Sequence, residues 1–259
     1  TWLSFDAFLD NPDKMADNFE TMLKTGADLD LQFIPVLYNA WRSFPDFGGL
    51  TIEQLNFGKK LGVFDSYIER FVGSHLNDVR ILLWDLCNEP FNGCDSQKGR
   101  EIYKEWLQET YTKCKKLGAY APIAVGLCPS INDLVFLDSI SDVLTFHPYY
   151  AYTDWVPDVE SFTVFLDECV DFANSRNKPL LATETCWGSL DDEKRVESME
   201  VELGELSKRG IGFTAHLMCH SKVADAHKRW FGEYKGAGYM GFINADGSLR
   251  PGHDAYNKY

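Results

Sequence analysis

The sequence predicts an α/β barrel, and three observations carry that expectation. Short, largely apolar runs alternate with longer amphipathic ones along the whole chain, and successive apolar runs begin 21 to 48 residues apart. Such runs are the pattern of parallel strands covered on both faces. Strand–helix alternation at that spacing makes a parallel sheet, either open and doubly wound or closed into a barrel. Neither GxGxxG nor GxxxxGKS/T follows any of the runs, which removes the common nucleotide-binding forms of the open sheet. The closed barrel remains.

The strand-like runs are 1–5, 31–38, 79–86, 122–127, 143–148, 180–184 and 212–218. Between them lie helical stretches with readable ends. Asn11 and Pro12 form an N-cap and first-turn proline for a helix to about Lys24, with Gly26 beyond its end. The segment 96–116 closes at Gly118, and 191–208 closes at Gly210. No linker, fixed-period repeat or low-complexity tract divides residues 1–259, so they are read as one catalytic-size domain. Seven runs are one short of the eight that close a (β/α)8 TIM barrel. The expectation is therefore an N-terminally incomplete barrel, with one further βα unit of roughly 30 residues ahead of Thr1.

Composition narrows the partners. The chain is 45% hydrophobic, enough for a sizeable core, and its formal charge is −14. That charge argues against nucleic acid and anionic membranes, which need clustered Lys and Arg, and fits a neutral substrate. No apolar run approaches the roughly 18 residues that span a bilayer. The seven cysteines are odd in number and scattered, and none forms a CxxC pair. Reduced thiols are expected, rather than a zinc site or a disulfide framework. Residues 1–5 lack the Met and charged region of a signal peptide, and no compartment is indicated.

In a barrel the chemistry sits at the C-terminal ends of the strands. Two strands deliver a glutamate there: one run ends in Cys87-Asn88-Glu89-Pro90, the other in Ala182-Thr183-Glu184-Thr185. One glutamate at a strand end is commonly a loop-capping carboxylate. Two, each followed by a loop with Phe91 or Trp187, point to a carboxylate pair. Cleaving a glycosidic bond needs such a pair, one group to protonate the departing oxygen and one to attack the anomeric carbon or activate water. Burial without an adjacent cation can keep the first protonated, while the second stays ionised in a hydrogen-bonding setting.

These motifs resemble those of clan A glycoside hydrolases, particularly glycoside hydrolase family 5. Asn88-Glu89-Pro90 looks like the acid/base motif that ends strand four, and Glu184 like the nucleophile that ends strand seven. With one βα unit ahead of Thr1, the two strands take those numbers. Thr145-Phe146-His147-Pro148-Tyr149 resembles the sixth-strand His-x-Tyr, whose tyrosine hydrogen-bonds the nucleophile and whose histidine lines the sugar site. Asn39 sits where the family presents a polar residue after strand three, and 2–5 looks like the end of strand two. The family's strand-two arginine would precede Thr1. His216 stands where strand eight usually offers a tryptophan beneath the sugar.

The resemblance implies a retaining β-glycoside hydrolase, with Glu89 as acid/base and Glu184 as nucleophile. It implies a β-glucan, β-mannan or related glycan as substrate and needs no metal or organic cofactor. A retaining pair would hold its carboxyl groups about 5–5.5 Å apart. Asn88 would bind the sugar 2-hydroxyl, and His147, Tyr149, Asn39, Trp41, Trp187 and His216 would line the site. Phe47, Trp155 and Trp230 also fall in post-strand loops, where flat rings can stack on pyranose faces or simply pack. Asp85 reads as structural, and His220, Asp225 and His227 as a solvated loop rather than a metal site. Two alternatives stay open: a carbohydrate-binding barrel without catalysis, and a barrel lyase or aldolase. The latter would want a strand-end Lys or a metal-ligand set, and no strand-like run ends in Lys.

Overall fold

The computed structural model describes residues 1–40, 50–92, 94, 96–150, 156, 158–189, 191–219 and 240–259. They form two compact units. The first comprises Thr1–Leu127 with Phe136–Val143, the second Cys128–Val135 with Leu144–Tyr259.

In the first unit, helices α1 (Phe5–Asp10) and α2 (Pro12–Ala27) precede strand β1 (Val36–Asn39). Ser4 caps α1 by accepting the Ala7 N–H at 3.1 Å. Asn11 caps α2 by accepting the Lys14 N–H at 3.0 Å, with Pro12 in the first turn as expected. Helices α3 (Ile52–Leu61) and α4 (Val63–Phe71) then lead to β2 (Trp84–Asn88). Thr51 and Gln54 form a reciprocal capping box at the start of α3. Helix α5 (Gln97–Leu117) runs between Ser96, its N-cap, and Gly118, whose φ of 91° closes it as read from the sequence. Strands β3 (Ile123–Ala124) and β4 (Gly126–Leu127) follow, and then α6 (Ile131–Leu137).

Strands β1, β2 and β3 pair in parallel, with Asn39 opposite Asn88 and Trp84 opposite Ile123. Every residue of β1 and β2 is buried, the two-sided covering that their apolar runs imply. An aromatic cluster packs behind them. Tyr67 meets Phe5, Phe8, Tyr38 and Phe71 at ring distances of 4.9–5.1 Å and donates its hydroxyl to the Leu37 carbonyl at 2.8 Å. Each fully buried large side chain here contributes about 1.5–3 kcal/mol by leaving water.

The second unit holds β5 (Leu144–Phe146), α7 (Val159–Arg176), β6 (Leu180–Thr185), α8 (Asp192–Lys208) and β7 (Gly212–Ala215). Its three strands pair in parallel in chain order, Leu144 opposite Leu180 and Leu181 opposite Gly212. Asp158 caps α7 and Asp191 caps α8, and Gly210 follows α8 with φ 66°. On β7 Gly212 and Thr214 are exposed, so the two-sided covering of β1 and β2 is not repeated there.

Four expectations need correction. Residues 1–5 form no strand: Trp2 makes one parallel bridge to Val36, and Ser4 then starts α1 at Phe5. The run 31–38 becomes a strand only at Val36, because Pro35 has no N–H to give. The run 122–127 divides at Val125 into β3 and β4. Gly26 lies inside α2 rather than beyond it, since the Phe33 ring occupies the space where its Cβ would be, 2.2 Å away.

Candidate active site

Strand β2 places Asn88 as its last residue and Glu89 immediately after it. The Glu89 N–H donates to the Gly126 carbonyl at 2.8 Å, so β4 fixes the turn. Its φ of 46° lies in the left-handed region, which non-glycine residues enter only when surroundings over-determine them. Here Asn92 helps: its side-chain amide donates to Glu89 Oε2 and its backbone N–H to the Glu89 carbonyl, each at 3.0 Å. The β1–β2 register brings two expected site residues together, and Asn88 Nδ2 donates to Asn39 Oδ1 at 3.1 Å. Asp85 is structural, as read from the sequence. Its Oδ1 accepts the N–H groups of Cys87 at 3.1 Å and Gly126 at 3.0 Å, tying β2 to the start of β4.

In the second unit Glu184 is the penultimate residue of β6. Tyr149, three residues past β5, donates its hydroxyl to Glu184 Oε2 at 2.5 Å. His147 is 1% exposed, and its Nδ1 lies 3.7 Å from the same oxygen. The Trp187 ring meets Tyr149 edge-on at 4.9 Å. The phenol donor fixes the direction of the carboxylate oxygen. The chain turns immediately afterwards, with Cys186 at φ 66°. His216 follows β7, and its N–H extends the ladder to the Thr185 carbonyl at 2.9 Å. The expected residues thus fall into two local groups: Asn39, Asn88 and Glu89 in the first unit, and His147, Tyr149, Glu184, Trp187 and His216 in the second. Trp41 lies outside the described residues, as do Phe47, Trp155, Trp230, His220, Asp225 and His227.

Sequence reasoning missed Asn92, although an Asn three residues past a strand-end Glu, across a turn, is a signal that could have found it. It also missed Arg195 and Glu202 on α8, buried at 1% exposure each. In the first unit Glu20, His75 and Asp78 bring three ligand atoms within 4.8 Å of one another. Arg80 already binds these carboxylates, Asp78 at 2.5 Å and Glu20 at 3.4 Å, so the cluster is an ion-pair network. Its guanidinium holds the Asp78 carboxyl below the usual range.

No family model matches the chain. Over 255 residues it is 20% identical to an Aspergillus terreus protein named probable mannan endo-1,4-β-mannosidase C, covering 85% of this chain and 61% of that protein. The chain thus spans about three fifths (61%) of that relative's length. Among solved structures it is similar to the hyperthermostable endo-1,4-β-D-mannanase of Thermotoga petrophila. The TM-score is 0.65 at 18% identity, covering 95% of this chain and 79% of that one. It is also similar to the β-glucuronidase of Bifidobacterium dentium, with a TM-score of 0.67 at 14% identity, covering 92% and 38%. These likenesses show the fold that the strand–helix alternation predicts, a (β/α)8 TIM barrel. With its motifs in order along that fold, the chain is a distant relative of glycoside hydrolase family 5.

Proposed function

We propose that the protein is a retaining β-glycoside hydrolase acting on a β-linked glycan, with β-1,4-mannan the first substrate to test. The observation that carries the reading is the bond from Tyr149 to Glu184, beside His147: a strand-end carboxylate held by a fixed donor is what a nucleophile needs. The substrate class follows the names of the fungal and Thermotoga relatives.

In the first step a Glu184 oxygen attacks the anomeric carbon. The glycosidic C–O bond breaks as the Glu89 proton passes to the departing oxygen. In the second, Glu89, now a carboxylate, takes a proton from water. The water oxygen attacks the anomeric carbon, the bond to Glu184 breaks, and the sugar leaves with its original configuration. Asn88 binds the 2-hydroxyl, a contact that strengthens in the transition state.

Proton NMR of the first products of mannan or aryl β-mannoside hydrolysis should show the β-anomer. Initial α-anomer would replace retention by inversion. Glu184→Gln should be inactive on every substrate. Glu89→Gln should still glycosylate on activated aryl glycosides, and azide should restore its second step. Equal losses without azide rescue would overturn the two roles, and a wild-type chain with no turnover would favour a carbohydrate-binding barrel.

A further inference from the structure

Arg195 and Glu202 stand seven residues apart on α8, on the helix face that also buries Met199, Leu203 and Leu206. Ionisable groups on such a face are costly unless polar partners meet them. What meets them here is backbone. Arg195 donates to the carbonyls of Cys186 at 3.1 Å, Gly241 at 3.2 Å and Met240. Glu202 Oε2 accepts the Cys186 N–H at 3.1 Å, and the same carboxyl group accepts the Tyr150 N–H. Helix α8 therefore holds Cys186 by both its N–H and its C=O.

The residues gripped are adjacent to the site. Cys186 lies two positions past Glu184, and Tyr150 directly follows Tyr149. Cys186 has a left-handed backbone, φ 66°, which persists in a non-glycine residue only where neighbours impose it. One carboxyl group thus touches the chain leaving β6 and the chain leaving β5.

We propose that Glu202, assisted by Arg195, is a positioning residue: it locks the segments after β5 and β6 together and so sets the Tyr149–Glu184 bond. The proposal rests on the reading of Glu184 as nucleophile. Stability alone is a poor reason for such a device, because buried ionisable groups can often be replaced by apolar ones without loss. The fixed geometry is what an apolar residue would not supply.

The test compares wild type with Glu202→Asp, Glu202→Leu and Glu202→Gln on an aryl β-mannoside, with Glu184→Gln as reference. Asp draws the carboxyl group back by one methylene, Leu removes it at similar volume, and Gln keeps an acceptor oxygen at full reach. The Asp and Leu variants should lose about 10- to 100-fold in kcat, as small misplacements of reacting groups do. Their KM should stay within about twofold, since ground-state contacts are untouched. Labelling of Glu184 by a 2-fluoro glycoside should slow in parallel, and Gln should restore most of the kcat. A folded Asp or Leu variant with wild-type kcat, or a Gln variant as slow as Leu, overturns the proposal. Full turnover by Glu184→Gln overturns the nucleophile assignment first, and the clamp with it. Should Asp and Leu both fail to fold, hydrogen exchange on wild type decides: the Cys186 and Tyr150 amides must both exchange slowly, and fast exchange at either removes the clamp.

Discussion

The Tyr149 hydroxyl and Glu184 Oε2 are 2.5 Å apart, a bond that reaches from the segment after β5 to the end of β6. A phenol donates here to an acceptor oxygen and so aims it. Hydrogen bonds to charged groups contribute about 1.5–3 kcal/mol. Tyr149→Phe should therefore lower kcat about ten- to a hundredfold on mannan. Unchanged kcat in a folded variant would remove Tyr149 from the machinery.

A second prediction follows from the burial of Glu202. Burial raises its carboxyl pKa well above 4.5, and this outweighs the backbone donors and Arg195, which act in the opposite direction. The folded state then keeps a proton that the unfolded chain releases above about pH 4.5. Where the native state binds more protons, stability falls as pH rises. This contribution is full below the unfolded pKa and is lost as pH climbs toward the folded one. Glu202→Gln, permanently neutral, should gain stability relative to wild type steadily from pH 5 to pH 8 in urea denaturation. A difference independent of pH would show that Glu202 is ionised in the fold.

The third concerns α2. Gly26→Ala would raise helix propensity by about 1 kcal/mol on an exposed surface. Here the new methyl would sit 2.2 Å from the Phe33 ring. Overpacking of that kind costs about 1–3 kcal/mol, so the variant should be destabilised in a denaturant titration. The double variant Gly26→Ala with Phe33→Leu, which trims the ring that the methyl meets, should recover part of the loss.

What the sequence reveals and conceals follows the range of the interaction. Asn11, Ser96, Asp191 and Gly118 act on backbone groups within a few residues, so the helix ends they mark can be read locally. The same holds for Glu89 and Glu184, whose places follow from the ends of their strands. Gly26 misleads because its reason, the Phe33 ring, is a tertiary contact, and the local rule for a helix-ending glycine cannot register it. The run 31–38 overstates its strand because apolar character does not show where Pro35 breaks the ladder. Arg195 and Glu202 look like ordinary helix-surface charges in a segment rich in them. Only the path of the backbone at 150, 186 and 240–241 reveals that they face inward.

The thiols sort themselves by reagent access. Cys87 and Cys186, each two positions from one of the glutamates, are buried, and burial pushes both thiols well above their ordinary pKa. The same holds for Cys169, and Cys114 is pushed up to about 12. A maleimide or iodoacetamide acts on thiolates it can reach, so in the native protein it will modify Cys219, which is exposed, and then Cys94 and Cys128, which are partly so. Alkylation is accordingly a way to hang a fluorophore on the folded chain while the two thiols next to its glutamates stay unmodified. The emergence of the four silent thiols becomes a clock for unfolding.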